Sequence, residues 1–585
     1  MNSQGNREIP ESGWKFDFSP QGVLPTYWRQ KFDSVVSHCR MRFTTLTDEV
    51  SETYGNDISW WVSELACRNS LTNEFFLEYC RIHFIRELMS NGVEIAEIRT
   101  DSPEVASILT GFLEGHRTNV TIIRKTWWQR LYACLPRVKD FFLLFIRELL
   151  YAALAKWFYP MQKGGFSAKT VLIDTFVFAE SFSDNTFIDR YYGRLDAFFR
   201  PEEREKIVYA PMIMGGIKDL IPMFQKLRHV QNQFLLKEDL LTWRDIFWAF
   251  GFPFRIFRRK PRRWVENGID FTSLARKIWI EHLFSANSVL GLMNYRFAQR
   301  VREEKIPLCL VIDWFENQII DKGFNAGFRK YFPDIAHIGY EGFIAPPTYL
   351  CVVPSKKEYE YKVVPKTIAV TGPGLIGKMK EFCSDLDVIA APGFRFSWLW
   401  KDFLPEPDSS YHTILIALDS TIEASRDILH CAITALEHDL PPNVRFWVKP
   451  HPASMPIENL LATLDMKLPR NFTVMKGDFS SILRKCDMIL TNTSSTCMEA
   501  IVLGIPALIA VSQASFSRNP IPSEIPGELW RMCFTSEDTA RAIGYFSTHP
   551  LDCRTRKALG QKIRSDYFTE VTFRTVRDFL RITTT

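Results

Sequence analysis

MILTNTSSTCMEAIVLGIPALIA, Met488 to Ala510, reads as strand, polar turn, helix and second strand in unbroken succession. Met488–Thr491 is a short apolar run of strand type, Thr493–Thr496 are four consecutive hydroxyl residues, and the segment up to Leu503 has helical spacing. Gly504 and Pro506 close the helix and launch the next strand. Two strands joined by a helix pair in parallel, which fixes the expectation for the neighbourhood.

Working outward, the same grammar recurs. TIAVTGPG begins at Thr367, DVIAAP at Asp387, HTILIAL at His412, VRFWVKPHP at Val444 and FTVMKG at Phe472, each Val- and Ile-rich and followed by a helix-length segment. This predicts a doubly wound, Rossmann-like domain over 366–553, with 554–585 as one terminal helix returning to an N-terminal domain. Upstream, TVLIDTF (from Thr170), KIVYAPM (from Lys206), LCLVIDW (from Leu308) and AHIGYEG (from Ala336) alternate with helical stretches. They predict a second α/β, Rossmann-like domain within 1–365.

That N-terminal part opens helix-rich and carries a strand, EIAEIR, after the Asn91-Gly92 turn. Between Lys125 and Tyr159, Trp127, Trp128, Leu131, Leu135, Phe141, Phe142 and Leu150 fall at helical spacing and predict one or two amphipathic helices. FWAFGFPFRIFRRKPRRW, Phe247–Trp264, is too rich in Pro and Arg for a core strand and is expected at the surface.

Length and composition set the bounds. A chain of 585 residues, 46% apolar and 24% charged, is an ordinary folded protein too long for one core. A net charge of +5 on that length does not argue for a nucleic-acid partner. The 12 cysteines form no C-x-x-C pair, so neither a zinc site nor a disulfide framework is indicated, and reduced cytoplasmic thiols are expected. MNSQGNREIPESGWKF lacks the apolar centre of a secretory signal, and Arg147, Glu148 and Lys156 interrupt Phe141–Tyr159, so no spanning helix is expected.

Three segments carry candidate chemistry. After the strand VRFWV, Lys449 offers a positive charge and His451 a donor, with Pro450 and Pro452 stiffening the turn. In open parallel sheets, ligands bind outside the carboxyl ends of strands, where this turn lies. A structural turn is the competing reading. Thr493, Ser494, Ser495 and Thr496 stand where unsatisfied N–H groups and the helix dipole attract a phosphate; the alternative is plain N-capping. Glu499 has the spacing for a capping box or for contact with a ribose diol. In VTGPGLIGK, Gly372 and Gly374 permit close backbone approach to a ligand and Lys378 reaches for a phosphate, without Walker A or dinucleotide spacing.

Together these segments resemble the donor-binding domain of GT-B glycosyltransferases, particularly bacterial capsule and surface-polysaccharide enzymes such as polysialyltransferases, Kdo transferases and teichoic-acid polymerases. In that group a His-Pro motif and a downstream Ser/Thr pair hold the nucleotide and its phosphate. By position His451 and Pro452 match the first and Ser494 with Ser495 the second, within a resemblance covering residues 300–515. It implies two Rossmann-like domains facing across a cleft and a nucleotide-sugar donor, CMP- or UDP-linked, as substrate and not cofactor. No metal is required if Lys449, His451 and helix dipoles neutralise the departing nucleotide.

The N-terminal domain then supplies the acceptor side and a base. Asp313 and Glu316 lie just beyond one strand and Glu341 beyond the next. An inverting transfer needs one such group to take the acceptor hydroxyl's proton, and Glu316 is the first choice. Its W-x-E-N-Q setting resembles a segment of surface-carbohydrate enzymes, although their Glu/Asp-Asp-Gly triplet is missing. The large N-terminal half points to a glycan or lipid-linked acceptor. Arg255, Arg258, Arg259, Lys260, Arg262 and Arg263 beside Phe and Trp suit peripheral contact with the inner membrane face; nucleic acid or a solvated loop would use them too. A sugar-nucleotide epimerase of the same two-lobed fold is the rival enzyme, and a membrane-associated scaffold the non-enzymatic one.

Overall fold

The computed structural model describes residues 13–19, 22–113, 118–123, 127–159, 166, 169–183, 186–259, 262–401, 410–452 and 454–582. A small unit comes first: a parallel sheet of β1 (Trp14–Asp17), β2 (Ile95–Thr100) and β3 (Asn119–Ile122), packed with α1 (Thr26–Glu52), α2 (Phe75–Ser90) and α3 (Pro103–Leu113). The expected single domain over 1–365 is therefore two pieces. Then follow the helix α4 (Trp127–Phe158) and the first lobe's strands β4 (Thr170–Val177), β5 (Ile207–Ile213) and β6 (Gln233–Phe234). The Phe247–Trp264 region, expected at the surface, is helical and only partly exposed: it forms α5 (Trp243–Phe250) and α6 (Phe252–Phe257), with Phe247, Phe254 and Phe257 exposed and Phe250, Phe252, Ile256 and Trp264 in the core.

After α7 (Ala286–Glu303), the first lobe continues with β7 (Leu308–Trp314), α8 (Ile319–Tyr331), β8 (Ala336–Glu341), β9 (Thr367–Val370) and β10 (Asp387–Ala390). Its seven parallel strands run β10-β9-β8-β7-β4-β5-β6. TIAV and DVIAA thus pair with the first sheet, Ile338 opposite Thr367, and the domain boundary expected at residue 366 moves to between Ala390 and His412. The second lobe orders β11 (His412–Ala417), β12 (Val444–Lys449), β13 (Phe472–Val474), β14 (Met488–Thr491), β15 (Ala507–Ala510) and β16 (Trp530–Cys533) as β13-β12-β11-β14-β15-β16. All its pairings are parallel. Ile312, Ile338 and Ile368 in one sheet and Ile414, Ile489 and Ile509 in the other are fully buried, as strands covered on both faces require.

The terminal segment is two helices, α11 (Cys553–Tyr567) and α12 (Phe573–Phe579), not one. Between them the chain docks on the first lobe: Thr569 N donates to Thr371 O at 2.6 Å and Gly393 N to Thr569 O at 2.9 Å. Arg577 then forks onto Glu203 with bonds of 2.7 and 2.8 Å. Two Rossmann-like lobes with such a return make a GT-B architecture. Helix α1 ties both lobes: Ser517 N donates to Asp33 at 2.9 Å in the second, and Arg40 donates to Pro347 O at 2.8 Å in the first.

Candidate functional site

In each sheet the strand order reverses once, between β4 and β7 in the first and between β11 and β14 in the second. Diverging connections there leave a crevice at the carboxyl ends, the usual ligand position in open α/β sheets. The second crevice is framed by three turns. Strand β11 runs into Asp419, whose carboxylate accepts from Thr421 N at 3.0 Å and from the Thr493 hydroxyl. Thr491 Oγ1 donates to Ala417 O at 3.2 Å, and Leu418 N to Lys449 O at 3.1 Å, so the β14 and β12 ends are stitched to β11. His451 follows β12, its carbonyl accepting from Ser454 N at 3.0 Å and Ser454 Oγ at 2.8 Å. Burial, with Arg190, Arg395 and Lys449, holds its imidazole below the usual value against the pull of Asp419.

His451, Asp419 and the Thr493–Ser495 turn therefore share one crevice. The four hydroxyls divide their work. Thr493 is committed to Asp419, and Ser494 Oγ accepts from Thr496 N at 3.3 Å and from Thr496 Oγ1 at 3.0 Å. Ser495 is the N-cap residue of α10 (Thr496–Val502) yet makes no side-chain capping bond. With Ser495 as N-cap, Glu499 lies one position past the capping-box partner, so the capping reading fails. Its carboxylate accepts from Trp398 Nε1 at 2.9 Å, and burial pushes it up to about 7, opposed by Arg395 and that hydrogen bond.

A cavity of about 470 Å³ adjoins this crevice, lined by Thr421, Asn492, Thr493 and Arg518 of the second lobe and by Phe18 and Arg81 of the N-terminal unit.

In the first lobe, alternation along β7 separates two neighbours. Trp314 packs on Tyr191, ring centroids 4.0 Å apart, whereas Asp313 is sealed beneath, 1% exposed, accepting from Asn325 Nδ2 at 2.8 Å. Burial, with Asp321 and Asp174 close by, raises it well above the carboxylate range. Asp313 thus leaves the set of candidate bases. Glu316 is half-buried and fixed at both oxygens, by Trp314 Nε1 at 2.9 Å and Gln318 Nε2 at 2.6 Å. The preceding strand's turn is organised by buried Asp189, which accepts from Tyr191 N at 2.7 Å, Tyr192 N at 2.9 Å and Thr175 Oγ1 at 2.5 Å.

Tyr191 feels the charges of Arg190, Glu316 and Arg395, and His451 those of Arg190 and Arg395. The chain Glu316, Tyr191, Arg395, His451 spans from one lobe to the other, so the two switch-point crevices face each other across a cleft.

The glycine-rich turn is a correction. Because TIAV belongs to the first sheet, Gly372 and Gly374 meet the terminal segment and not a ligand of the second lobe: a Cβ on Gly372 would lie 2.2 Å from the Tyr567 carbonyl carbon. Lys378 donates to Ala345 O and faces Glu341. Burial raises Glu341 to about 8 and lowers Lys378 to about 8, each opposed by the other's charge, with Glu316 adding to the rise of Glu341.

Sequence reasoning missed Asp419, Arg190, Tyr191 and Arg395. Asp419 had a readable signal, since HTILIALDST repeats the strand, polar turn and helix pattern of MILTNTSST. Arg190 and Tyr191 sit in a turn and Arg395 in the short 3-10 helix Phe394–Trp400, with no periodicity to mark them.

No protein-family model and no curated protein matches the chain. Among solved structures it is similar to S. aureus MnaA with UDP, at 9% identity and TM-score 0.41 over 71% of this chain and 98% of that one. It is similar to a UDP-GlcNAc 2-epimerase from Neisseria meningitidis bound to UDP-GlcNAc, at 10% identity and TM-score 0.39 over 70% and 98%. The lipopolysaccharide outer core galactosyltransferase WaaB shows 12% identity and TM-score 0.36 over 71% and 99%.

Proposed function

We propose that the chain is a glycosyltransferase that moves a sugar from a nucleotide-sugar to a glycan or lipid-linked acceptor. One observation carries this reading: the second lobe gathers His451, Asp419, Ser494 and Ser495 at its switch point, opposite an oriented carboxylate, Glu316, and two arginines on the first. The donor's phosphates sit against the Ser494–Ser495 turn and His451, and Arg190 and Arg395 offset the charge that builds on the departing nucleotide. Glu316, its rotamer set by Trp314 and Gln318, takes the proton of the acceptor hydroxyl. Tyr191, half-buried and backed by the buried Trp314, gives the acceptor an aromatic wall.

The test is Glu316→Gln. A lost general base lowers turnover by roughly 10²–10⁴-fold, while thermal stabilisation by the nucleotide, screened across CMP, UDP, GDP, TDP and CDP, stays as in the parent. Full turnover in the variant removes Glu316 from this role.

A sugar-nucleotide epimerase is favoured by a different observation. Glu341, kept protonated near neutrality, lies close to Glu316, and two neighbouring carboxyl groups suit proton abstraction by one and return by the other. Product analysis separates the two: an isomerised free nucleotide-sugar means epimerase, sugar on an acceptor means transferase.

A further inference from the structure

Helix α4 is apolar on two faces. Phe141, Leu144, Tyr151, Ala152 and Ala155 are buried, yet Phe142, Leu143, Ile146 and Leu150 are exposed at helical spacing, and Trp157 is 80% exposed. Against α4 packs α5, which α6 follows directly; on these two Trp243, Phe247, Phe254 and Phe257 are also exposed, the last two at 74% and 73%. The seam is continuous: the Phe247 ring lies 5.2 Å from that of Phe145 and 6.0 Å from that of Trp243. An amphipathic helix needs one apolar face; the second, together with four bare aromatics, makes a patch of the kind that marks an interaction surface.

The charge around it selects the partner. Trp243–Trp264 holds seven Arg and Lys residues, and its single acid, Asp245, is buried under Arg296 and Arg300. Of the two acids on α4, Glu148 is likewise buried and Asp140 is exposed next to Lys139. Not every cation is free for this use. Arg255 is half-buried against Trp248 and donates to its carbonyl at 2.6 Å, Arg259 pairs with Asp57 at 3.1 Å, and Lys260 lies outside the described residues. Arg244, Arg258 and Arg262 remain exposed, as does Arg263, which lies 3.9 Å from Asp270. Directly beyond α6, a groove of about 740 Å³ is lined by Arg86, Arg263 and Arg276, with Asp270 its one acid.

We propose that α4, α5 and α6 form a monotopic docking surface for an anionic lipid bilayer. The exposed aromatics enter the acyl boundary, and the arginines at their rim meet lipid phosphates. No helix among the described residues is long and apolar enough to cross a membrane, so the attachment is in-plane. A second copy of this chain would meet its own arginines at the rim, which disfavours the face as a homodimer interface. The inference stands apart from the enzymatic reading.

The full chain is tested by flotation with vesicles of one part phosphatidylglycerol to two parts phosphatidylcholine, and with phosphatidylcholine alone. Binding is expected to the first and to be far weaker on the second. Phe254→Ser with Phe257→Ser, both exposed and so neutral to folding, lowers partition by roughly tenfold or more. Arg244→Gln, Arg258→Gln and Arg262→Gln together weaken binding to anionic vesicles by roughly fivefold per arginine. Unchanged melting temperatures show that the variants fold. Absence of binding to anionic vesicles overturns the proposal, as does equal binding by the serine variant. Self-association by sedimentation that the serine variant abolishes, without lipid binding, assigns the face to a second copy and overturns it as well.

Discussion

Glu499→Gln should make the unliganded protein more stable and a worse nucleotide binder, and the first effect has a calculable pH dependence. Glu499 is 8% exposed, and burial has pushed its carboxyl from 4.5 to about 7. Between those values the folded state holds a proton that the unfolded state has released, so stability falls as pH rises through that window and levels off above about 7. The accumulated loss is about 3 kcal/mol at pH 8 and under about 1 kcal/mol at pH 5, at roughly 1.4 kcal/mol per unit. Glutamine keeps the acceptor for Trp398 and cannot ionise, so it recovers that difference. For a lobe of this size the variant should melt higher by about 5–10 °C at pH 8, and by no more than about 2–4 °C at pH 5. Differential scanning fluorimetry from pH 5 to 8 reads both profiles. If the two melting curves run parallel across that range, or the variant melts lower at pH 8, the carboxylate is not held as described. A stabilised variant whose nucleotide-induced shift also shrinks is the mark of strain kept for function.

An anion beside His451 favours the imidazolium, so nucleotide binding takes up protons and affinity falls as pH rises from 6 to 8, by up to about tenfold per unit. His451→Gln should flatten this slope, and calorimetry in buffers of different ionisation enthalpy counts the protons. Gly372→Ala drives a Cβ into the Tyr567 backbone and should cost about 1–3 kcal/mol or more. It should free the terminal segment to proteolysis while nucleotide affinity holds; a selective loss of affinity would restore the ligand reading of that turn. Asn317 sits at φ 52° and donates to Cys351 O at 2.7 Å and Glu358 at 3.2 Å. Asn317→Ala should destabilise by about 1–3 kcal/mol through strain and lost bonds, and lower kcat by loosening Glu316 without moving the nucleotide shift.

Much of the fold was legible from periodicity. Runs such as TVLIDTF, LCLVIDW and MILT are short and mostly apolar, as two-sided burial demands, and each appears as a strand. Partners were not legible: TIAV reads the same whether its neighbour is HTILIAL or AHIGYEG. The chain chose the latter, and with it Gly372, Gly374 and Lys378 moved from the donor lobe to a structural seam. Asp313 and Glu316, three residues apart, both read as candidate bases in the sequence, with Glu316 preferred. Strand alternation turned one under α8 and the turn at Asn317 left the other in the cleft.

Local composition, then, determined where strands, turns and polar strand ends fall, because those depend on a residue and its near neighbours in the chain. Which ends meet was decided by tertiary structure. The closeness of Asp419 to Thr493, of His451 to Arg190 and Arg395, and of Glu499 to Trp398 spans separations of 56 to 261 residues. Such contacts follow from sheet order and lobe docking, and burial created by that docking sets the charge each group carries.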